Sequence, residues 1–111
     1  MTNKELQQAY KYYNKRFFRD QLPKGLLVRF GRLPFDTMGW TWFEVDKPVC
    51  IMVNKLMKRV LLEKTALITL LHEMVHAKLG IKVNCNGVRN SRAHKQEIAR
   101  LMNAGAYTKL L

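Results

Sequence analysis

The sequence predicts an α+β fold, in which a small three-stranded antiparallel sheet packs against a buried helix and further helices flank it at both ends of the chain. Apolar residues recur at helical spacing near the two ends, whereas aromatic and β-branched residues concentrate between residues 26 and 53. The chain has 111 residues and a hydrophobic content of 48%, which suits one compact domain over residues 1–111.

The first helix is predicted from an apolar stripe at helical spacing: Leu6, Tyr10, Tyr13 and Phe17. Thr2 or Asn3 can cap this helix, and Glu5 stands in its first turn, where the helix dipole favours an anion. Because proline disfavours helix in the residue before it, the helix is expected to end near Leu22-Pro23.

Three strands are predicted over residues 26–30, 38–45 and 49–53, where β-branched and aromatic residues alternate with others. The turns between them, near Pro34 and Pro48, are short. Parallel pairing needs longer crossovers, so the strands are expected to form an antiparallel meander.

The second half of the chain changes to a helical pattern. Residues 56–62 predict a short helix or helical turn, and residues 65–79 predict a long helix with several apolar positions. Gly80 suits the position after the last helical residue. A polar loop follows, and Ser91 can cap a last helix that runs to about residue 103.

The long helix carries the motif His72-Glu73-Met74-Val75-His76. Residues four apart lie on one helix face, so His72 and His76 can bind one metal ion at about 2.0–2.1 Å. Glu73 is then placed to take a proton from a reacting water. The alternative is a pair of core histidines, but two histidines and a carboxylate are costly in an apolar helix without a purpose.

A catalytic zinc commonly has three protein ligands and one open position. The metzincin pattern would need Gly at position 79 and His at position 82, where this chain has Leu79 and Lys82. His94 is the third of the three histidines in the chain and is the favoured ligand, since imidazole suits zinc. Glu97, one turn later, is the alternative, because two histidines and a glutamate also hold catalytic zinc.

The chain resembles the SprT-like zinc metallopeptidases, the group that includes the protease domain of Spartan. The most specific part is the run Leu-His-Glu-Met-Val-His-Ala at residues 71–77. Weaker matches over nearly the whole chain are Tyr13-Asn14 through Phe17-Phe18, Leu22-Pro23, Val28-Arg29-Phe30, Met38-Gly39 and a helix led by His94.

This resemblance implies a small zincin-like domain and a zinc-dependent endopeptidase that acts on DNA-associated proteins, as in DNA–protein crosslinks. It also implies that His72, His76 and His94 bind zinc and that Glu73 is catalytic. The chain departs from the family at Lys95, where a glycine commonly follows the third ligand.

The charge predicts an anionic partner. Lys and Arg number 20 against 8 Asp and Glu, a net charge of +12 that attracts polyanions such as DNA. The basic residues proposed to contact nucleic acid beside the motif are Lys78, Lys82, Arg89, Arg92 and Lys95. A solvated charged face is the alternative. Trp40 and Trp42 share one strand face, where core packing is favoured over stacking on unpaired bases.

Other features predict a soluble intracellular protein. Cys50 and Cys85 form no CxxC pair and are expected to be free thiols. The sequence shows no apolar signal segment, and no apolar run approaches the roughly 20 residues that span a bilayer. Two other classes remain open: a nucleic-acid-binding module with a structural or catalytically silent zinc site, and a metal hydrolase for bonds other than peptides.

Overall fold

The computed structural model describes residues 1–80 and 92–110. In this part of the chain the helices are α1 (Asn3–Phe17), α2 (Glu63–Leu79) and α3 (Arg92–Asn103), and the strands are β1 (Leu27–Gly31), β2 (Gly39–Glu44) and β3 (Lys47–Asn54). Two short 3-10 turns, Lys55–Lys58 and Val60–Leu62, join β3 to α2. The predicted α+β class is confirmed, and each predicted helix and strand has a counterpart within a few residues.

The sheet is mixed, so the prediction of an antiparallel sheet was wrong. Its strand order is β1-β3-β2, with β2 antiparallel to β3 and β1 parallel to β3. Parallel neighbours need a connection of about a dozen residues or more. Residues 32–46 supply it, because β2 itself lies within the connection between β1 and β3.

Helix α1 begins as predicted and ends earlier than predicted. The Thr2 hydroxyl accepts a hydrogen bond from the Glu5 backbone, and the Glu5 carboxylate accepts one from the Thr2 backbone. The helix ends at Phe17 rather than near Leu22. Arg19 and Asp20 adopt positive φ angles of 53° and 58°, which turn the chain out of the helix before the proline acts on it.

Buried Asn14 fixes the segment that follows α1. Its side-chain amide donates to the carbonyl of Leu22 and accepts from the amide of the same residue. The Asn14 carbonyl also accepts from the amides of Phe18 and Asp20. These bonds satisfy polar groups that the end of the helix would otherwise leave buried without partners.

One face of the sheet packs against the helices. Its inner face buries Val28, Phe30, Ile51 and Val53. Trp40 and Trp42 point to the other face and are 51% and 39% exposed. The preference for these tryptophans as core residues was therefore wrong, because no described element covers that face.

Helix α2 passes through the middle of the molecule. It contacts α1, α3, β2 and β3, and its apolar residues Ala66, Leu70, Leu71, Met74 and Val75 are fully buried. Gly80 ends it with a φ of 81°, as its predicted place after the helix requires. No described helix has the length and apolar character to cross a membrane.

Candidate metal centre

Three imidazoles converge between α2 and α3. His72 and His76 lie one turn apart on α2, and His94 lies in the first turn of α3. The ring centroids are 4.7 Å apart for His72–His76, 4.8 Å for His72–His94 and 4.7 Å for His76–His94. The chain thus brings together the three histidines that the sequence singles out.

The geometry of the cluster suits a small divalent cation. One ligand nitrogen from each of the three histidines lies within 4.8 Å of the others, and the Nε2 atoms of His72 and His76 are 3.0 Å apart. Two nitrogens at 2.0–2.1 Å from a tetrahedral zinc stand about 3.3 Å apart. The separation of the His72 and His76 nitrogens is therefore close to the one that a shared zinc requires. Three neutral imidazoles with a fourth position open are a common donor set for catalytic zinc.

The protonation of the three rings also suits a cation. Burial lowers the pKa of His76 to about 4, and the neighbouring His72 and His94 contribute to this shift. Burial also lowers the pKa of His94, and of His72, although part of the His72 side chain meets solvent. Metal ligation needs neutral imidazole, which these shifts favour at pH 7.

Glu73 follows His72 on α2 and is 6% exposed. Burial raises the pKa of its carboxyl to about 7, and a hydrogen bond from Thr41 partly opposes that shift. The Thr41 hydroxyl lies 2.7 Å from Oε1 and 3.3 Å from the carbonyl oxygen of Glu73. A carboxyl that titrates near neutral pH can both accept and return a proton.

Glycine at position 39 lets β2 approach this carboxylate. A Cβ added to Gly39 would lie 2.8 Å from Cγ2 of Thr69 and 2.9 Å from Cγ of Glu73. Sequence reasoning found neither Gly39 nor Thr41 as part of the site. The available signal was the alternation of β2, since Thr41 stands between two outward tryptophans and so points inward.

Glu97, the alternative ligand, forms ion pairs with two basic side chains of the chain. Its Oε1 atom accepts hydrogen bonds from Lys78 on α2, at 3.0 Å, and from Arg100 on α3. Although burial acts to raise the pKa of Glu97, these two cations hold it below its usual value. Glu97 thus links α3 to α2 one turn from His94.

The five basic residues predicted to contact nucleic acid have different placements. Lys78 is half-buried in its ion pair with Glu97, whereas Arg92 and Lys95 are exposed at the start of α3. Lys82 and Arg89 lie outside the described residues, as does Cys85. Cys50 is a half-buried free thiol on β3.

In comparisons with family models, curated proteins and solved structures, nothing matched this chain.

Proposed function

We propose that the chain is a zinc-dependent peptidase of the SprT-like type, with a zincin-like arrangement of its sheet and its metal helix. The observation that carries the proposal is the convergence of His72, His76 and His94, with the buried Glu73 next to His72 on the same helix. A structural zinc site commonly has four protein ligands, whereas three histidines leave a position for water or substrate.

The chain's residues have distinct roles in this proposal. His72, His76 and His94 would hold the ion, which supplies a Lewis acid and lowers the pKa of its bound water. Glu73 accepts a proton from the attacking water and delivers it to the nitrogen of the leaving amine. Thr41 keeps one carboxylate oxygen of Glu73 in place by its hydrogen bond.

A peptide substrate is favoured by the position of β2. In the described sheet β2 is an edge strand, which pairs with β3 along one side. Extended peptides bind free strand edges through backbone hydrogen bonds. A peptide on this edge would pair with the strand that Glu73 contacts through Thr41.

The direct test is a cleavage assay on a basic DNA-binding protein, with and without single-stranded DNA. We expect the zinc-loaded wild type to cleave, a chelator to stop cleavage, and Glu73→Gln to abolish it while zinc binding persists. Glu63→Gln is the matched control, because it removes the same charge from an exposed position on α2. Stimulation by DNA would support action on DNA-associated proteins.

The net charge of +12 favours a second candidate, a nucleic-acid-binding module whose zinc site is structural or catalytically silent. It predicts DNA affinity that is equal in wild type and Glu73→Gln, with no cleavage of any protein by either. Hydrolysis of a non-peptide ester by the wild type, without cleavage of proteins, would instead assign a different metal hydrolase.

A further inference from the structure

The sheet face that no described element covers carries both tryptophans of the chain. By strand register, the side chains of Leu27, Arg29, Trp40, Trp42, Cys50 and Met52 share this face, here called the tryptophan face. Trp40 pairs with Met52 and Trp42 with Cys50, so the two indoles stand beside each other along β2. Large exposed apolar groups gathered on one surface indicate a binding site more often than isolated ones do.

The two indoles are spaced for two separate flat ligands. Their ring centroids are 6.3 Å apart, and their planes are tilted by 57°. Bases inside a duplex are stacked on one another about 3.4 Å apart, so their flat faces are not available to an aromatic side chain. The pair therefore suits two bases that have left a stack, as in a single strand, and does not suit a duplex.

The charge of the tryptophan face and of the whole chain suits a phosphate backbone. Arg29 is the charged member of the face, and its guanidinium partly offsets the rise that burial causes in the pKa of Cys50. The net charge is +12, and two of the eight acidic residues, Glu73 and Glu97, are buried. A surface of exposed aromatic rings on a basic protein is how many proteins bind single strands.

We propose that the tryptophan face binds single-stranded nucleic acid, with bases stacked on Trp40 and Trp42 and the backbone drawn by Arg29 and the positive field of the molecule. This site differs from the basic residues beside the metal centre and does not require zinc or catalysis. Thr41, between the two tryptophans, faces Glu73, so the bound strand would lie on the reverse side of the strand that borders the proposed active site.

Tryptophan fluorescence gives a direct reading, because both tryptophans of the chain lie on this face. We expect oligo-dT and oligo-rU to quench the emission, with weaker quenching by a duplex of equal length. Heparin supplies charge without bases and should leave the emission nearly unchanged. Equal quenching by heparin and oligo-dT would overturn the stacking proposal, since charge alone would then explain binding.

Variants separate stacking from charge. Trp40→Leu and Trp42→Leu should each weaken binding of a fluorescein-labelled oligo-dT by roughly 5- to 150-fold, measured by anisotropy. Trp→Phe at the same positions should retain most of the affinity, because the phenyl ring still stacks. Tyr12→Leu is the matched control, an exposed aromatic residue on α1.

Two results would overturn the assignment. The first is unchanged oligo-dT affinity in the Trp40→Leu/Trp42→Leu double variant with native circular dichroism. The second is a wild-type dimer in sedimentation that this double variant abolishes, which would assign the face to a second copy of the chain. Both readings are made without cleavage, so they stand or fall separately from the peptidase proposal.

Discussion

At the scale of single residues, the site depends on how a buried carboxylate is held. Burial removes the Glu73 carboxyl from solvent and raises its pKa to about 7. The carboxylate also accepts a hydrogen bond from Thr41. That bond fixes one oxygen and favours the ionised form that accepts a proton. In the proposed reaction, Thr41 would act through Glu73 as a positioning residue.

Replacing Thr41 tests that role. Thr41→Val keeps the shape of the side chain and removes the hydroxyl, so we expect kcat to fall by about 10- to 100-fold with little change in KM. Thr41→Ser keeps the hydroxyl and should keep most of kcat. Zinc content, measured alongside, should be equal in both variants. An equal loss in both, or a loss of zinc, would contradict a role through the hydrogen bond.

Gly39 provides a second test at this scale. The Cβ in Gly39→Ala would meet the side chains of Thr69 and Glu73 at 2.8 and 2.9 Å, so one of them must shift. We expect a loss of about 1–3 kcal/mol in the free energy of unfolding, measured in urea, together with reduced cleavage. Gly25→Ala is the control, because nothing lies within 4 Å of its added Cβ. Equal stability of the two variants would contradict the close packing at Gly39.

The sequence predicts the histidines and the glutamate of the candidate site better than the residues that contact them from β2. Spacing on one helix is enough to bring His72 and His76 together, because the helix repeat is fixed. Thr41 and Gly39 reach Glu73 through contact between β2 and α2, which depends on how separate elements pack. No local sequence pattern specifies that contact, so only the three-dimensional structure reveals it.

At the scale of elements, local signals predict where a helix begins better than how strands pair. Thr2, one of the two expected caps, does cap α1, and Glu5 completes a reciprocal cap with it. Turn lengths could not predict the parallel pairing of β1 with β3. They indicate which strands follow each other along the chain, whereas in the sheet β3 lies between β1 and β2. Similarly, α1 ends where Asn14 and the left-handed residues Arg19 and Asp20 turn the chain, several residues before the proline signal.

The attachment of α3 to α2 should control metal affinity. Glu97 on α3 binds Lys78 on α2, and α3 carries His94. Glu97→Gln should weaken zinc binding by about 10- to 100-fold without removing a ligand, since supporting contacts orient ligands. The measurement is competition with a chromophoric chelator.

Gln96→Lys is the control for the Glu97 variant. It raises the net charge by one, as Glu97→Gln does, but at an exposed position of the same helix. Equal affinity losses in the two variants would assign the effect to charge and not to the link between the helices.

At the scale of the whole molecule, the histidine cluster connects parts that are distant along the chain. His72 and His76 belong to the central helix α2, whereas His94 follows after residues 77–93. The α+β class and the approximate bounds of each element follow from the sequence, because they depend on local periodicity. The convergence of α3 on α2 requires the complete fold, so a bound ion should stabilise the native state of the whole chain.

Bound zinc should stabilise the folded chain by an amount set by the ratio of its concentration to its Kd. Zinc at about 100 times its Kd should add about 2.7 kcal/mol to the free energy of unfolding, because it binds the folded state. For a domain of this size, Tm should rise by on the order of 10 °C in calorimetry, and a chelator should reverse the rise. His94→Ala should lose most of the shift, whereas Lys95→Ala, at the exposed next position, should keep it. An equal shift in both variants would show that zinc binds elsewhere, since only His94 brings α3 into the cluster.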